Sequence, residues 1–456
     1  LLIMTDQQRA DALGCAAGWV NTPNLDRIAG EGVRFTNCIT NSPVCVPARL
    51  SLATGLYPHN TGVWNNCGHT MPAGTPTWMQ SIRGAGYRTS LFGKTHWHPH
   101  NGVDFREREH LLHAYGVDDV DETPGPRACC RNRCRMIDQW EEAGLLDAYR
   151  DDYAERFRDD PTMVRPSPLG VEHYYDTYVG EAATRYLGDY DRDEPWFCWV
   201  SFGGPHEPWD APEPYASMYA PSKMPPALSR FADQGDRASG ALDRIMGGRQ
   251  PPELSPERVA AMRANYAGNV TLIDDQVGKL LDTIERRGEL DNTVIAFISD
   301  HGEMNGDHGL VYKSQFLDGA LRVPLLIRLP RAGAAGHVCE RIVELNDIGP
   351  TLVEAVGGKI EHRQFAKSLI PLARDPGAAM GDEALSEIDG ELCLITPEWK
   401  FVVNEAGEPY ILFDRVRDPD EQYNLAGSPT VAEVERSLRE RMFERLMATQ
   451  VRLERQ

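Results

Sequence analysis

Five short apolar runs recur along the chain, at residues 1–4, 88–92, 196–202, 293–299 and 323–327. Apolar runs of this length, without strict alternation, suit strands covered on both faces, as in a parallel sheet. Between them the apolar spacing becomes helical, at about 75–84, 172–189, 258–287 and 346–356. Strands alternating with helices predict an α/β domain, a large sheet flanked by helices. Residues 101–170 carry clustered Arg, Asp and Pro and read as an excursion over the surface. Residues 203–257 are rich in Pro and Gly and read as a long loop or lid. After about residue 365 the pattern shortens to strands at 391–403 and 410–414, then an Arg/Glu-rich amphipathic helix at 430–449. The expected division is an α/β domain over 1–365 and a smaller α+β subdomain with antiparallel strands over 366–456.

In open α/β sheets, ligands bind beyond the carboxyl ends of the strands. Polar residues cluster at four such ends: Thr5-Asp6-Gln7, Gly93-Lys94-Thr95-His96, Gly203-Gly204-Pro205-His206 and Asp300-His301-Gly302-Glu303. Four ends that each offer a metal ligand or a cation point to a single site.

Charge narrows the partners. The 456 residues hold 68 acidic and 47 basic side chains, a net charge of −21. That argues against nucleic acid or an anionic membrane, which need a basic footprint. An anionic substrate would need positive charge gathered in one pocket. No run of eighteen apolar residues predicts a membrane-crossing helix. Ten Cys lie scattered without paired zinc spacing or a dense disulfide framework, so reduced thiols are expected. The opening Leu1-Leu2-Ile3-Met4 is already strand-like, so the true start, with any signal peptide, is expected to lie upstream. Arg far exceeds Lys, which suggests a GC-rich bacterial source. Cytoplasm and periplasm both stay open, and the oligomeric state is left unassigned, with a homo-oligomer allowed.

Asp6, Asp300 and His301 suit Ca²⁺, Mg²⁺ or Mn²⁺ better than a structural zinc. The rival reading is that the two Asp merely cap the turns after their strands. From Pro47 the pattern is helical and ends at Gly55, which places Cys45 at a helix N-terminus. Free N–H groups there favour an anion and lower a thiol pKa. Arg49 follows one turn later on the same face.

Cys45-x-Pro47-x-Arg49, followed by Leu-Ser-Leu-Ala-Thr-Gly-Leu-Tyr-Pro-His, resembles the signature of the type I, formylglycine-dependent sulfatases. Thr5-Asp6-Gln7, Gly93-Lys94-x-His96, the run Ser299 to Lys313, Leu321-Arg322-Val323-Pro324 and Leu412-Phe413-Asp414 extend the resemblance along the chain. It implies an alkaline-phosphatase-like fold, with Cys45 converted by a formylglycine-generating enzyme to an aldehyde that hydrates to a geminal diol. One diol oxygen would attack sulfur and form a covalent sulfate ester; collapse of the other hydroxyl would expel sulfate. The resemblance implies Asp6, Asp300, His301 and residue 45 as ligands of one divalent metal, Ca²⁺ first. Gln7 would be a further ligand or a support for the others. Arg49 would orient the diol, and Lys94 and Lys313 would neutralise the sulfate oxygens. His206 would be the acid for the leaving alcohol and His96 the base, with the two roles exchangeable.

The chain departs from the common pattern at Ala48 for Ser, Gln7 for a second Asp and His301 for Asn. The last two make Mn²⁺ a rival metal. Related phosphonate monoester hydrolases share the Gln and His but carry Tyr and Thr where this chain has Lys94 and His96, which favours sulfate monoesters here. A phosphonate or phosphodiester hydrolase is the alternative, and a non-catalytic binder of sulfated glycan or metal a further one. His96-x-His98-x-His100 as a zinc strip and Cys129-Cys130…Cys134 as a metal site are both weaker readings; the three Cys are expected on a solvated loop. Trp64, Trp97 and Trp209 are candidates for the pocket wall or for the core. The alcohol half of the substrate, whether aryl, sugar or choline, stays open.

Overall fold

The computed structural model describes residues 1–229, 254–330 and 334–451. An eight-stranded mixed sheet is formed by β1 (Leu2–Thr5), β2 (Val33–Ile39), β3 (Arg88–Gly93), β4 (Asp119–Glu122), β5 (Trp196–Ser201), β6 (Ile295–Ser299), β7 (Arg322–Arg328) and β8 (His337–Glu344). Its order is β4-β3-β5-β1-β6-β7-β2-β8, parallel from β4 to β6, with β7 antiparallel to both its neighbours. All five expected strands are present, within two residues of their expected bounds.

Successive strand residues point to opposite faces, and the core divides accordingly. Leu2, Met4, Ala296 and Ile298 face a cluster with Trp78, Trp97 and Trp199. Leu1, Ile3, Ile295 and Phe297 face another with Trp140, Val179 and Val277. The helices Cys45–Thr54, Trp78–Gly84 and Ile348–Ala355 contribute to the first cluster; Pro23–Glu31, Tyr175–Gly188 and Pro256–Arg286 contribute to the second. This double burial explains why the central strands read as unbroken apolar runs.

Residues 101–170 correct the expectation of a polar surface excursion. They contain the edge strand β4 and the helices Glu109–Ala114, Arg135–Glu142 and Leu146–Asp159. Met136, Ile137 and Trp140 pack into the second core cluster, and Cys129 and Cys134 are buried there rather than solvated. The segment reads as polar because its outer face carries ion pairs such as Arg106–Asp138 and Arg133–Glu141. Of the expected lid, residues 203–229 are mostly irregular and helix Pro256–Arg286 takes the other end; residues 230–253 lie outside the described residues.

A second sheet, antiparallel in the order β12-β11-β10-β9, comprises β9 (Ala384–Ile388), β10 (Glu391–Ile395), β11 (Trp399–Val403) and β12 (Pro409–Asp414). Its inner residues Cys393, Ile395, Val402 and Phe413 pack with Phe316, Leu317 and Leu321. Leu394, Phe401 and Leu412 are covered by Leu438 and Met442 of helix Ala432–Ala448.

Candidate active site

β3, β5, β1 and β6 are parallel neighbours, so their carboxyl ends open on one edge. That edge receives Asp6 and Gln7 after β1, Lys94 and His96 after β3, His206 after β5, and Asp300 and His301 after β6. β2 runs the same way, being antiparallel to β7 as β6 is, and leads to helix Cys45–Thr54. All ten residues of that helix are buried, Pro47 sits in its first turn, and Gly55 closes it in the left-handed region at φ 70°. Gly93 is required where β3 ends: at φ +104° a Cβ would stand 1.9 Å from the Ser201 carbonyl oxygen. Lys94 leaves the strand from that point.

Asp6, Cys45, Asp300 and His301 present ligand atoms that all lie within 4.8 Å of one another, every residue buried. Cys45 Sγ is 3.1 Å from His301 Nε2, and His301 Nδ1 faces the Gly302 carbonyl at 3.0 Å. Asp300 Oδ1 accepts the N–H groups of Gln7 (3.1 Å) and His301 (2.9 Å). Asp6 Oδ1 is buried with no hydrogen-bond partner among the described residues. A buried carboxylate oxygen without a partner is costly, and two carboxylates with an imidazole suit a hard or borderline divalent cation. The residues therefore fit the implied metal.

Arg49 ties the two carboxylates together. Its Nε donates to Asp300 Oδ2 at 2.7 Å and one terminal nitrogen to Asp6 Oδ2 at 2.9 Å. The other terminal nitrogen donates to the Lys94 carbonyl and the Ser201 hydroxyl. Lys94 Nζ also donates to Asp6 Oδ2. Burial and the Cys45 thiolate oppose ionisation of Asp6, but Lys94, His206 and Arg49 hold its carboxyl well below the usual range. Burial likewise opposes ionisation of the Cys45 thiol, yet Lys94, Lys313 and His301 pull it well below its ordinary value. Burial disfavours a charged His301, but Asp300 and Cys45 overcome it and raise the imidazole to about 9.

Gln7, at φ 68°, links Lys313 to two carboxylates: Lys313 Nζ donates to its Oε1, and its Nε2 donates to Glu207 (2.7 Å) and Glu303. His206 Nδ1 lies 2.7 Å from the Glu207 carbonyl, so that nitrogen carries the proton and Nε2 accepts from Lys313 Nζ at 2.7 Å. His96 is half-buried, its Nδ1 is buried with no hydrogen-bond partner, and desolvation with Lys94 lowers the ring to about 4. It is therefore neutral at pH 7.

Several residues of the site escaped the sequence reading. Glu207 bonds Gln7 and pairs with Arg127, and despite burial it is held down to about 2 by Arg127, His206 and Lys313. Asp176, on helix Tyr175–Gly188, fixes the loop that carries His206 by accepting the N–H groups of Gly203 (2.9 Å) and Gly204 (3.0 Å). Tyr312 stacks on Trp209 at 5.7 Å and has the Arg127 guanidinium 5.1 Å from its centroid. The one available signal was a carboxylate adjoining His206 in Gly-Pro-His-Glu-Pro. His98 pairs with Glu122 at 2.8 Å and His96 stacks on His100 at 4.3 Å, so the three His do not converge on one point. Trp97 is a core residue, with its indole N–H on the Arg49 carbonyl.

The model of the sulfatase family matches residues 1–358, most of the chain. This chain belongs to the sulfatase family. A second model, the C-terminal part of N-sulphoglucosamine sulphohydrolase, matches residues 306–448 of the sulfatase. The choline-sulfatase of Rhizobium meliloti is 31% identical over 449 residues, 94% of this chain and 82% of that protein. The arylsulfatase of Clostridium perfringens is 29% identical over 457 residues, 94% and 90% of the two chains. Among solved structures, the phosphonate monoester hydrolase of Agrobacterium radiobacter superposes with a TM-score of 0.81 at 27% identity, over 98% of this chain and 95% of that one. The sulfatase is a sulfuric ester hydrolase with an alkaline-phosphatase-like fold.

Proposed function

We propose that this sulfatase cleaves a sulfate monoester with residue 45, converted to formylglycine, as the nucleophile. The observation that carries the reading is Cys45 at the first turn of a wholly buried helix, inside a cluster of two carboxylates and an imidazole, with Lys94 and Lys313 acting on it. Asp6, Asp300, His301 and residue 45 would hold a divalent cation, Ca²⁺ first and Mn²⁺ or Mg²⁺ as rivals, which supplies Lewis-acid activation when bound. Arg49 positions both ligand carboxylates. Lys94 and Lys313 offset the charge that develops on the sulfate oxygens, a contribution commonly among the largest in such reactions. His206 would be the acid for the leaving alcohol: its Nε2 takes up a proton from the Lys313 ammonium that donates to it at 2.7 Å and passes it to the leaving oxygen. His96, neutral and with a nitrogen unpartnered, takes the proton whose removal lets residue 45 expel sulfate.

The phosphonate hydrolase neighbour supports a second reading, because Gln7 and His301 stand in an arrangement that such enzymes share. Fragment mass spectrometry of the tryptic peptide Phe35–Arg49 tests the nucleophile. An aldehyde at residue 45 with a thiol at Cys38 is expected; a thiol at both, after co-expression with a formylglycine-generating enzyme, refutes it. Side-by-side turnover of an aryl sulfate and a phenyl phosphonate monoester separates the two readings, and a faster phosphonate would favour the second.

A further inference from the structure

The cavity above residue 45 has a volume of about 800 Å³. Among the described residues its lining carries Lys94, Lys313, Arg127 and Arg131 against one carboxylate, Glu207, although the chain as a whole is at −21. A cavity of one sign set in a surface of the other concentrates ligands of opposite charge. A sulfate monoester brings a single negative charge, and Lys94 and Lys313 already stand beside the nucleophile to meet it. Arg127 is ion-paired to Glu207 and held over the rings of Phe157 and Tyr312. Arg131 is spent differently. Its Nε donates to the His100 carbonyl at 3.1 Å, and no carboxylate pairs with its guanidinium among the described residues.

His100 lines the same wall. Its Nδ1 accepts the Gly125 N–H at 3.3 Å, so the neutral ring carries its proton on Nε2. That Nε2 is buried without a partner. A donor with no acceptor beside an unpaired guanidinium is a pair of groups suited to an anion. A quaternary ammonium, by contrast, needs aromatic faces or acidic neighbours. The one Phe, Tyr or Trp lining the cavity among the described residues is Tyr312, which is stacked on Trp209 and already faces Arg127.

We infer that the alcohol half of the substrate carries a second anionic group, a carboxylate or a further sulfate, which Arg131 receives with His100 and Arg127 beside it. This rests on the sulfatase reading and adds the class of substrate to it. Three aryl sulfates of matched shape and leaving group test it: 4-(carboxymethyl)phenyl, 4-(2-hydroxyethyl)phenyl and 4-(2-aminoethyl)phenyl sulfate. The acid is expected to exceed the alcohol in kcat/KM by about fivefold, the effect of one partly exposed ion pair, with the difference in KM and the amine slowest. Arg131→Gln should bring the acid-to-alcohol ratio toward one, and Arg131→Lys should restore the preference; circular dichroism checks that both variants fold. Equal rates for the three esters, a preference for the amine, or a ratio unchanged in Arg131→Gln would overturn the inference. If no sulfate is cleaved but a phenyl phosphonate monoester is, the sulfatase reading fails instead, and the same three alcohols as phosphonate monoesters carry the charge test.

Discussion

Replacing Arg49 by Met tests whether the buried cluster is held together by charge. Arg49 and Asp300 are 1% and 0% exposed, with Nε and Oδ2 2.7 Å apart. No other Lys or Arg pairs with the Asp300 carboxylate among the described residues, whereas Asp6 also has Lys94. Truncating one partner of such a pair leaves a buried charge faced only by the His301 imidazole at 3.7 Å, at a cost of about 3–5 kcal/mol as the upper bound. Unfolding entropy near 2.1 cal/mol/K per residue gives roughly 1 kcal/mol/K for a chain of this length, so the expected fall in Tm is about 3–5 °C. The decisive comparison adds Asp300→Asn, which removes the stranded charge while keeping an oxygen for the N–H groups of Gln7 and His301. Urea unfolding with a chelator present, on wild type, both single variants and the double variant, gives the coupling. A double variant more stable than the sum of the singles by about 1.5–3 kcal/mol is expected for groups in contact. Additivity within about 0.5 kcal/mol would show that Arg49 acts through packing, and the electrostatic account of the cluster would be wrong.

Four further outcomes are expected. His96→Ala should lower kcat by about 10²–10⁴-fold, and intact-mass spectrometry should then find sulfate retained on residue 45; an unmodified mass at steady state contradicts the base role. Trp140→Ala, in the segment 101–170, should cost about 3–5 kcal/mol because Trp140 fills the second core cluster; a change under about 1 kcal/mol in urea unfolding would return that segment to the status of surface loop. Gly93→Ala places a Cβ against the Ser201 carbonyl at positive φ, and strain on the order of 1–3 kcal/mol plus displacement of Lys94 should reduce both Tm and kcat. Asp274 anchors helix Pro23–Glu31 through the N–H groups of Asn24 and Leu25, and burial raises it from 3.8 to about 6. Its folded value lies above its unfolded one, so the folded state binds the proton more tightly and stability falls as pH rises from about 4 to 6. At about 1.36 kcal/mol per pH unit the fall approaches 3 kcal/mol, and Asp274→Asn should flatten it in urea titrations at pH 4, 5, 6 and 7.

What the sequence disclosed follows from where physical constraints act on it. β1, β3, β5 and β6 lie at the centre of the sheet, and burial on both faces forces an apolar run that any reader of the sequence can see. The candidate site residues follow those strands directly, so finding the strands found Asp6, Lys94, His206 and Asp300 together. β4 and β8 are the sheet edges. β4 reads Asp-Val-Asp-Glu and is held by its backbone ladder to β3, a bond that leaves no mark on side-chain pattern. The same distinction governs the site. Cys45 and Arg49 were legible because both sit on one helix turn and their spacing is fixed by the chain. Arg127, Glu207 and Tyr312 come from three separate segments, and nothing local requires any of them to be charged or aromatic. Their meaning lies in the ion pair and the stacked rings they form across the cavity mouth. Chemistry that a fold imposes at its strand ends is therefore written in consecutive residues. The lining of the cavity, which includes the loop carrying Arg131, is written only in contacts between distant ones. For that reason the family was accessible from the sequence, and the charge proposed for the leaving group became an argument only with the cavity in view.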